Sequence, residues 1–198
     1  QATWLGEIQD SVSHTALGFP DIAFRSNGTL YGYTIGDNYS LYTISTTCQS
    51  NICDATLVKT LGYSNYGGGL AFDSEDNLYL FADYDNGFYQ LNPDNGNLIG
   101  SEITTTNYNS DYLVAAKFDS NDTLFAARTY DDDDGDLIKI DVSTGVITST
   151  GLENPNMYKI TALAFYEERA PTSLVVNSLL DDGDGVCTTE AGGCTLRE

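Results

Sequence analysis

The residues best suited to chemistry are carboxylates gathered on short turns. One run is Asp131, Asp132, Asp133, Asp134, Gly135 and Asp136; a second is Asp181, Asp182, Gly183 and Asp184. Calcium takes six to eight oxygen ligands, and a Gly-bearing acidic loop can wrap that many around it. Neither run is an EF-hand, because the alternating Asp spacing and the closing Glu are missing. A solvated Asp-rich turn is the other reading, and both stay open at this point. Calcium is the one cofactor the sequence suggests.

The cysteines fall in two close pairs, Cys48 with Cys53 and Cys187 with Cys194. Zinc would want tighter spacing and nearby histidines, and the only histidine is His14. Two local disulfides fit better, and they place the chain in an oxidising compartment. Sequons stand at Asn27, Asn38 and Asn121. They are candidate glycosylation positions, although such triplets arise by chance in a chain rich in Asn, Ser and Thr.

Catalytic signals are weaker. His14 has no G-x-S-x-G or comparable nucleophile setting around it. Paired acids for glycoside chemistry have many combinations among 29 carboxylates, and spacing does not choose between them. Tyr63, Tyr66, Tyr84, Tyr108, Tyr112 and Tyr130 fall between expected strands. They form either a platform for carbohydrate or packing over strand edges, and the second is favoured.

Charge bounds the partners. With 29 acidic against 8 basic residues the net charge is −21, which repels nucleic acid and anionic membranes. No apolar run is long enough to span a bilayer. Acidic disordered chains are poor in aromatics; this one has 14 Tyr and 8 Phe, so the acid coats a folded object. The first residue is Gln1, which reads as a mature N-terminus left by signal cleavage.

A repeat must position these groups. Asp21-Ile-Ala-Phe-Arg-Ser-Asn-Gly-Thr-Leu-Tyr31 returns as Gly69-Leu-Ala-Phe-Asp-Ser-Glu-Asp-Asn-Leu-Tyr79. It returns again as Ala115-Ala-Lys-Phe-Asp-Ser-Asn-Asp-Thr-Leu-Phe125, and Ala162-Leu-Ala-Phe-Tyr166 begins a fourth copy. The anchors Phe24, Phe72, Phe118 and Phe165 stand 48 (72 − 24), 46 (118 − 72) and 47 (165 − 118) residues apart. Each copy reads as a short apolar strand, an Asp/Ser/Asn/Gly turn and an alternating second strand. A third strand follows, then a fourth, expected at residues 97–100 in copy two and 146–149 in copy three. In copy one the third-to-fourth connection carries the Cys48–Cys53 loop.

Four antiparallel strands in a unit of about 40–50 residues is the signature of a propeller blade. Residues 1–168 resemble the propeller repeats of secreted bacterial proteins. The expected fold is all-β, a propeller-like array of three full blades and a partial fourth. Residues 3–8 look like a fourth strand with no blade ahead of it. The array closes as a small ring, in the way propellers that pair an N-terminal strand into their last blade do, or it stays an open arc with sticky edges.

Residues 172–198, from Thr172-Ser-Leu-Val-Val through Asp-Asp-Gly-Asp-Gly-Val-Cys187 to Cys194-Thr-Leu-Arg-Glu198, resemble the CSLREA-type module of bacterial surface proteins. Thr195 stands where that module has Ser. The resemblance implies a C-terminal extension over residues 169–198 and a longer exported product. Together these readings lead to a non-catalytic, extracellular structural or adhesive surface protein of a prokaryote, assembling through edge strands with itself or with other surface proteins. A carbohydrate-binding propeller is the alternative, and a propeller hydrolase or lactonase the third reading.

Overall fold

The computed structural model describes residues 4–34, 39–62, 68–82, 87–106, 112–129, 135–154 and 163–164. All of them belong to one compact unit, Gln1–Phe165. The extension expected at residues 169–198 lies outside the described residues, as does the fourth copy apart from Leu163 and Ala164.

The chain is all-β, with no helix among the described residues. Thirteen strands form three sheets among the described residues. The first blade contains β2 (Asp21–Phe24), β3 (Leu30–Tyr33), β4 (Ser40–Ile44) and β5 (Ile52–Thr60), joined as an antiparallel meander. The second contains β6 (Leu70–Phe72), β7 (Leu78–Ala82), β8 (Gly87–Leu91) and β9 (Ile103–Thr104). The third contains β10 (Tyr112–Phe118), β11 (Leu124–Thr129), β12 (Gly135–Ile140) and β13 (Ile147–Asn154). These are the blades that the anchor spacing predicts.

The alternation of side chains explains the stacking. Tyr31, Tyr33 and Leu41 point from blade one into a core shared with Leu70, Leu78, Leu80, Tyr89 and Leu91 of blade two. On the opposite face of blade two, Tyr79, Phe81 and Phe88 meet Leu113, Ala116, Leu124, Ala126 and Ile138 of blade three. A strand whose two faces are both buried reads as a continuous apolar run, as Leu78-Tyr-Leu-Phe81 does.

Two strand expectations need correction. The fourth strand of copy two lies at Ile103–Thr104, not at residues 97–100. Gly96 and Gly100 hold positive φ values of 66° and 75°, so the intervening segment contributes only a single bridge, Leu98 to Leu91. The N-terminal strand is β1 (Glu7–Asp10), and among the described residues its sheet partner belongs to the first blade. It adds to the first sheet as a fifth strand, parallel to β5, with Glu7 opposite Ile52 and Asp10 opposite Ala55.

The edge expected to template assembly at residues 3–8 is also covered over its described strand. The Leu17 amide donates to the Ile8 carbonyl and the Asp10 amide to the Thr15 carbonyl, both at 2.9 Å. An edge whose backbone groups are already paired offers no template.

Candidate functional site at the blade axis

The innermost strands β2, β6 and β10 come together where a propeller has its central mouth. Along these strands the repeat favours small or apolar residues. Three positions before each anchor stand Asp21, Gly69, Ala115 and Ala162; one position before stand Ala23, Ala71, Lys117 and Ala164. Asp21 and Lys117 break this pattern, and the fold brings them together.

The Lys117 ammonium lies 3.7 Å from Asp21 Oδ1. It also donates to the carbonyls of Ile22, at 3.0 Å, and Leu70, at 3.1 Å. Asp21 Oδ2 accepts the Leu70 amide at 2.9 Å. One ion pair therefore ties all three inner strands. Its side chains are only 15 % (Asp21) and 27 % (Lys117) exposed. Burial pushes the Asp21 carboxyl up, against the pull of Lys117 and the surrounding amides. Burial likewise pushes the Lys117 ammonium down, against the pull of Asp21. In both groups desolvation outweighs pairing, as is common for ion pairs withdrawn from water. With its protons directed at two carbonyls and a carboxylate, Lys117 is arranged as a fastener of strands.

A second set of contacts repeats from blade to blade. The Ser26 amide and hydroxyl donate to the two Asp76 oxygens at 2.9 and 2.8 Å. One blade later the Ser74 amide donates to Asp122 Oδ1 at 2.8 Å, and its hydroxyl donates to Oδ2. These amide and hydroxyl bonds, with help from Arg25, hold the Asp76 carboxyl below its ordinary range. Arg25 also reaches Asp94 at 2.7 Å. The aromatic anchors follow the same rule. Phe72 packs edge-on against Tyr31 of the blade before, with ring centroids 5.3 Å apart, and Phe118 lies tilted against Tyr79 at 5.2 Å. Burial and the neighbouring Asp73 push the Tyr79 hydroxyl up to about 12.

The cysteine expectation holds for its first pair: Cys48 and Cys53 form a disulfide. Cys187, Cys194, Asp181, Asp182, Asp184, Asp131, Asp132, Asp133, Asp134 and Asn38 lie outside the described residues. So do Tyr63, Tyr66, Tyr84, Tyr108 and Tyr130. Asp136 is buried at the start of β12. No cluster of three or more His, Cys, Asp or Glu suited to a metal occurs among the described residues. Asn27 and Asn121 are exposed on the turns after β2 and β10. An open cleft of about 500 Å³ lies at the turn end of blade one, rich in hydroxyls from Thr29, Thr43, Ser45, Thr46, Thr47 and Thr56.

Sequence reasoning missed Asp21, Lys117 and the Ser–Asp pairs. The available signal was departure from the repeat at two positions, and persistence of Ser and Asp at two others.

No protein-family model and no curated protein matches the chain. Solved structures do. A catalytically inactive virginiamycin B lyase from Staphylococcus aureus, with quinupristin, is 14 % identical, with a TM-score of 0.50 over 74 % of this chain and 44 % of that one. An engineered GH43 glycoside hydrolase with endo-xylanase and exo-arabinofuranosidase activity is 14 % identical, with a TM-score of 0.52 over 68 % of this chain and 28 % of that one. The fold is therefore that of β-propeller proteins, a class that holds enzymes among others. At such identity the likeness concerns architecture alone. This chain spans less than half the length of either structure.

Proposed function

We propose that the chain is a non-catalytic structural or adhesive module of an exported prokaryotic surface protein. The observation that carries this reading is where the polar chemistry of the blades is directed. At the axial mouth, where a propeller would hold reacting groups, Asp21 and Lys117 fasten three strands to one another. The repeated Ser–Asp pairs and Arg25 likewise face the next blade. Export is supported by the disulfide and by the CSLREA-like tail sequence. The Asp runs at residues 131–136 and 181–184 are the candidate calcium turns of such a module. Partners are further copies of the chain or other surface proteins, reached by surfaces other than the covered edge of β1.

Light scattering and electron microscopy on purified protein, with calcium and then with EDTA, test this. Ordered assemblies support the structural reading, and their loss in EDTA assigns a role to the Asp turns. A monomer under both conditions overturns assembly. Turnover of a lactone or glycoside, lost on replacing one axial carboxylate, overturns the non-catalytic reading.

One observation favours a second reading, a carbohydrate-binding module. The cleft on blade one offers several hydroxyl groups beside Asp54. A specific hit on a glycan array, abolished by Thr43→Val with Thr56→Val, would establish it.

A further inference from the structure

The axial pair is built for more than an ion pair. A Lys Nζ has four tetrahedral positions. In Lys117 one is taken by its own carbon stem, and two donate to the carbonyls of Ile22, at 3.0 Å, and Leu70, at 3.1 Å. The remaining position faces Asp21, whose Oδ1 is 3.7 Å away. That is where the nitrogen lone pair stands once the ammonium has passed a proton to the carboxylate. The two carbonyls hold the amine in this orientation.

The surroundings favour the proton transfer. Both side chains are largely shielded from water, and charges withdrawn from water tend to neutralise. Burial raises the Asp21 carboxyl and lowers the Lys117 ammonium, so the neutral acid and the neutral amine come within reach of each other. A desolvated Lys is a nucleophile, and a protonated carboxyl carries a hydroxyl that can leave as water. Lys59 supplies the contrast. It meets Asn97 Oδ1 at 2.6 Å, but that contact is open to water and lacks the shielding.

The carboxyl end is prepared as well. Asp21 Oδ1 accepts the Ile22 amide at 2.8 Å, and Oδ2 accepts the Leu70 amide at 2.9 Å. Donors fixed on the two oxygens stabilise the charge that develops when the carboxyl carbon is attacked. Gly69 permits the close approach. A Cβ there would come within 2.6 Å of the Ala116 amide nitrogen, so a bare backbone lets β6 lie against β10. Leu70 and Lys117 are the next residues along.

We infer that Asp21 and Lys117 condense to an intramolecular amide, a covalent crosslink between β2 and β10 made by the folded chain itself. The Nζ–Cγ bond forms, the bond from Cγ to its hydroxyl breaks, and the hydroxyl leaves with one amine proton as water. The step consumes no oxidant, metal or second reactant. Juxtaposition of this kind can be worth an effective concentration of about 10⁵ M, and the shielding keeps water from reversing the step. Until the amide forms, the clasp titrates and unfolds as an ion pair. The inference rests on the structural reading of the axis, and its test depends neither on assembly nor on turnover.

The test is the mass of the full chain, folded and incubated at neutral pH, then reduced and denatured. The wild type should lose the mass of one water molecule as incubation proceeds. Trypsin should then fail to cut after Lys117 and should release a branched peptide joining residues 1–25 to residues 60–128. Lys117→Arg keeps a cation without the Lys amine and should stay at full mass. Wild-type chain held in urea should stay at full mass too, because the reaction needs the fold. A folded wild type that remains at full mass overturns the inference. A water loss that persists in Lys117→Arg or in urea, or that maps away from Asp21 and Lys117, also overturns it.

Discussion

Replacing Lys117 by Met gives the sharpest test of the axial clasp. The substitution keeps most of the side-chain length and removes the charge. It deletes two hydrogen bonds, to the carbonyls of Ile22 and Leu70, and strands Asp21 with the Leu70 amide. Breaking a fully buried pair from one side costs about 3–5 kcal/mol. Asp21 is slightly exposed and keeps an amide donor, so about 3 kcal/mol is the expected loss. Asp21→Asn keeps an acceptor for Leu70 and should cost about 1 kcal/mol. The double variant has no stranded carboxylate and should cost about 2 kcal/mol, leaving a coupling near 2 kcal/mol. Urea melts at pH 7 and fixed salt measure all four corners, with equal m-values as the check on two-state behaviour. The effect has a pH signature. A carboxyl whose folded pKa is raised contributes stability that is full below its unfolded pKa and is lost as pH rises through the folded value. Asp21 is such a group, and losing Lys117 raises it further. The deficit of Lys117→Met should therefore shrink as pH falls from 7 toward 4. Additive single variants, with coupling below about 0.5 kcal/mol, would refute the clasp.

Other outcomes follow from the same geometry. The Cys48→Ala, Cys53→Ala double variant opens a link of sequence separation 5 and should lose about 2 kcal/mol in urea melts, since so short a loop restrains little unfolded-chain entropy. Phe81 is fully buried and stacked on Phe88 at 4.7 Å; Phe81→Ala should cost about 3–5 kcal/mol, and Phe81→Leu less than half of that. Asp76 is held below its ordinary pKa by Ser26, so its contribution is present above the unfolded value and is lost as pH falls through the depressed one. Asp76→Asn should thus flatten the acid limb below the ordinary carboxylate range in urea melts, and an unchanged slope would show that the Ser26 contact is not formed in solution.

The blades were legible because each strand repeats its own local logic. Phe24, Phe72 and Phe118 recur with matching turns, and Leu78-Tyr-Leu-Phe81 is a continuous apolar run, as a strand buried on both faces must be. What stayed hidden depends on which repeats touch. Asp21 and Lys117 are 96 residues apart in sequence (117 − 21), and each looks like an ordinary surface charge until three inner strands converge. Phe24 looks like its fellow anchors, yet it is mostly exposed, whereas Phe72 and Phe118 pack on Tyr31 and Tyr79 of the blade before. The fourth strand of copy two slipped because Gly96 and Gly100 punctuate a stretch whose apolar residues, Leu98 and Ile99, look like strand. The acidic turns at residues 131–134 and the tail lie outside the described residues, so their sequence reading remains a proposal.

The scarcity of cations links the fold to the acidic surface. The chain has only 8 Lys and Arg against 29 acids. Among the described residues, three of these bases bridge blades: Arg25 to Asp76 and Asp94, Lys59 to Asn97 at 2.6 Å, and Lys117 to the backbone of two inner strands. An exposed bridge such as Arg25–Asp94, whose carboxylate is 72 % exposed, is weakened by salt. The shielded Lys117 contacts are not, since screening falls off as water is excluded. Salt also relieves the mutual repulsion of the carboxylates. The rim and the axis should therefore respond in opposite directions when ionic strength rises. The outer blade contacts loosen, while the inner clasp holds its geometry under a smaller repulsive load. Rising ionic strength would therefore leave the blades held together from the axis outward.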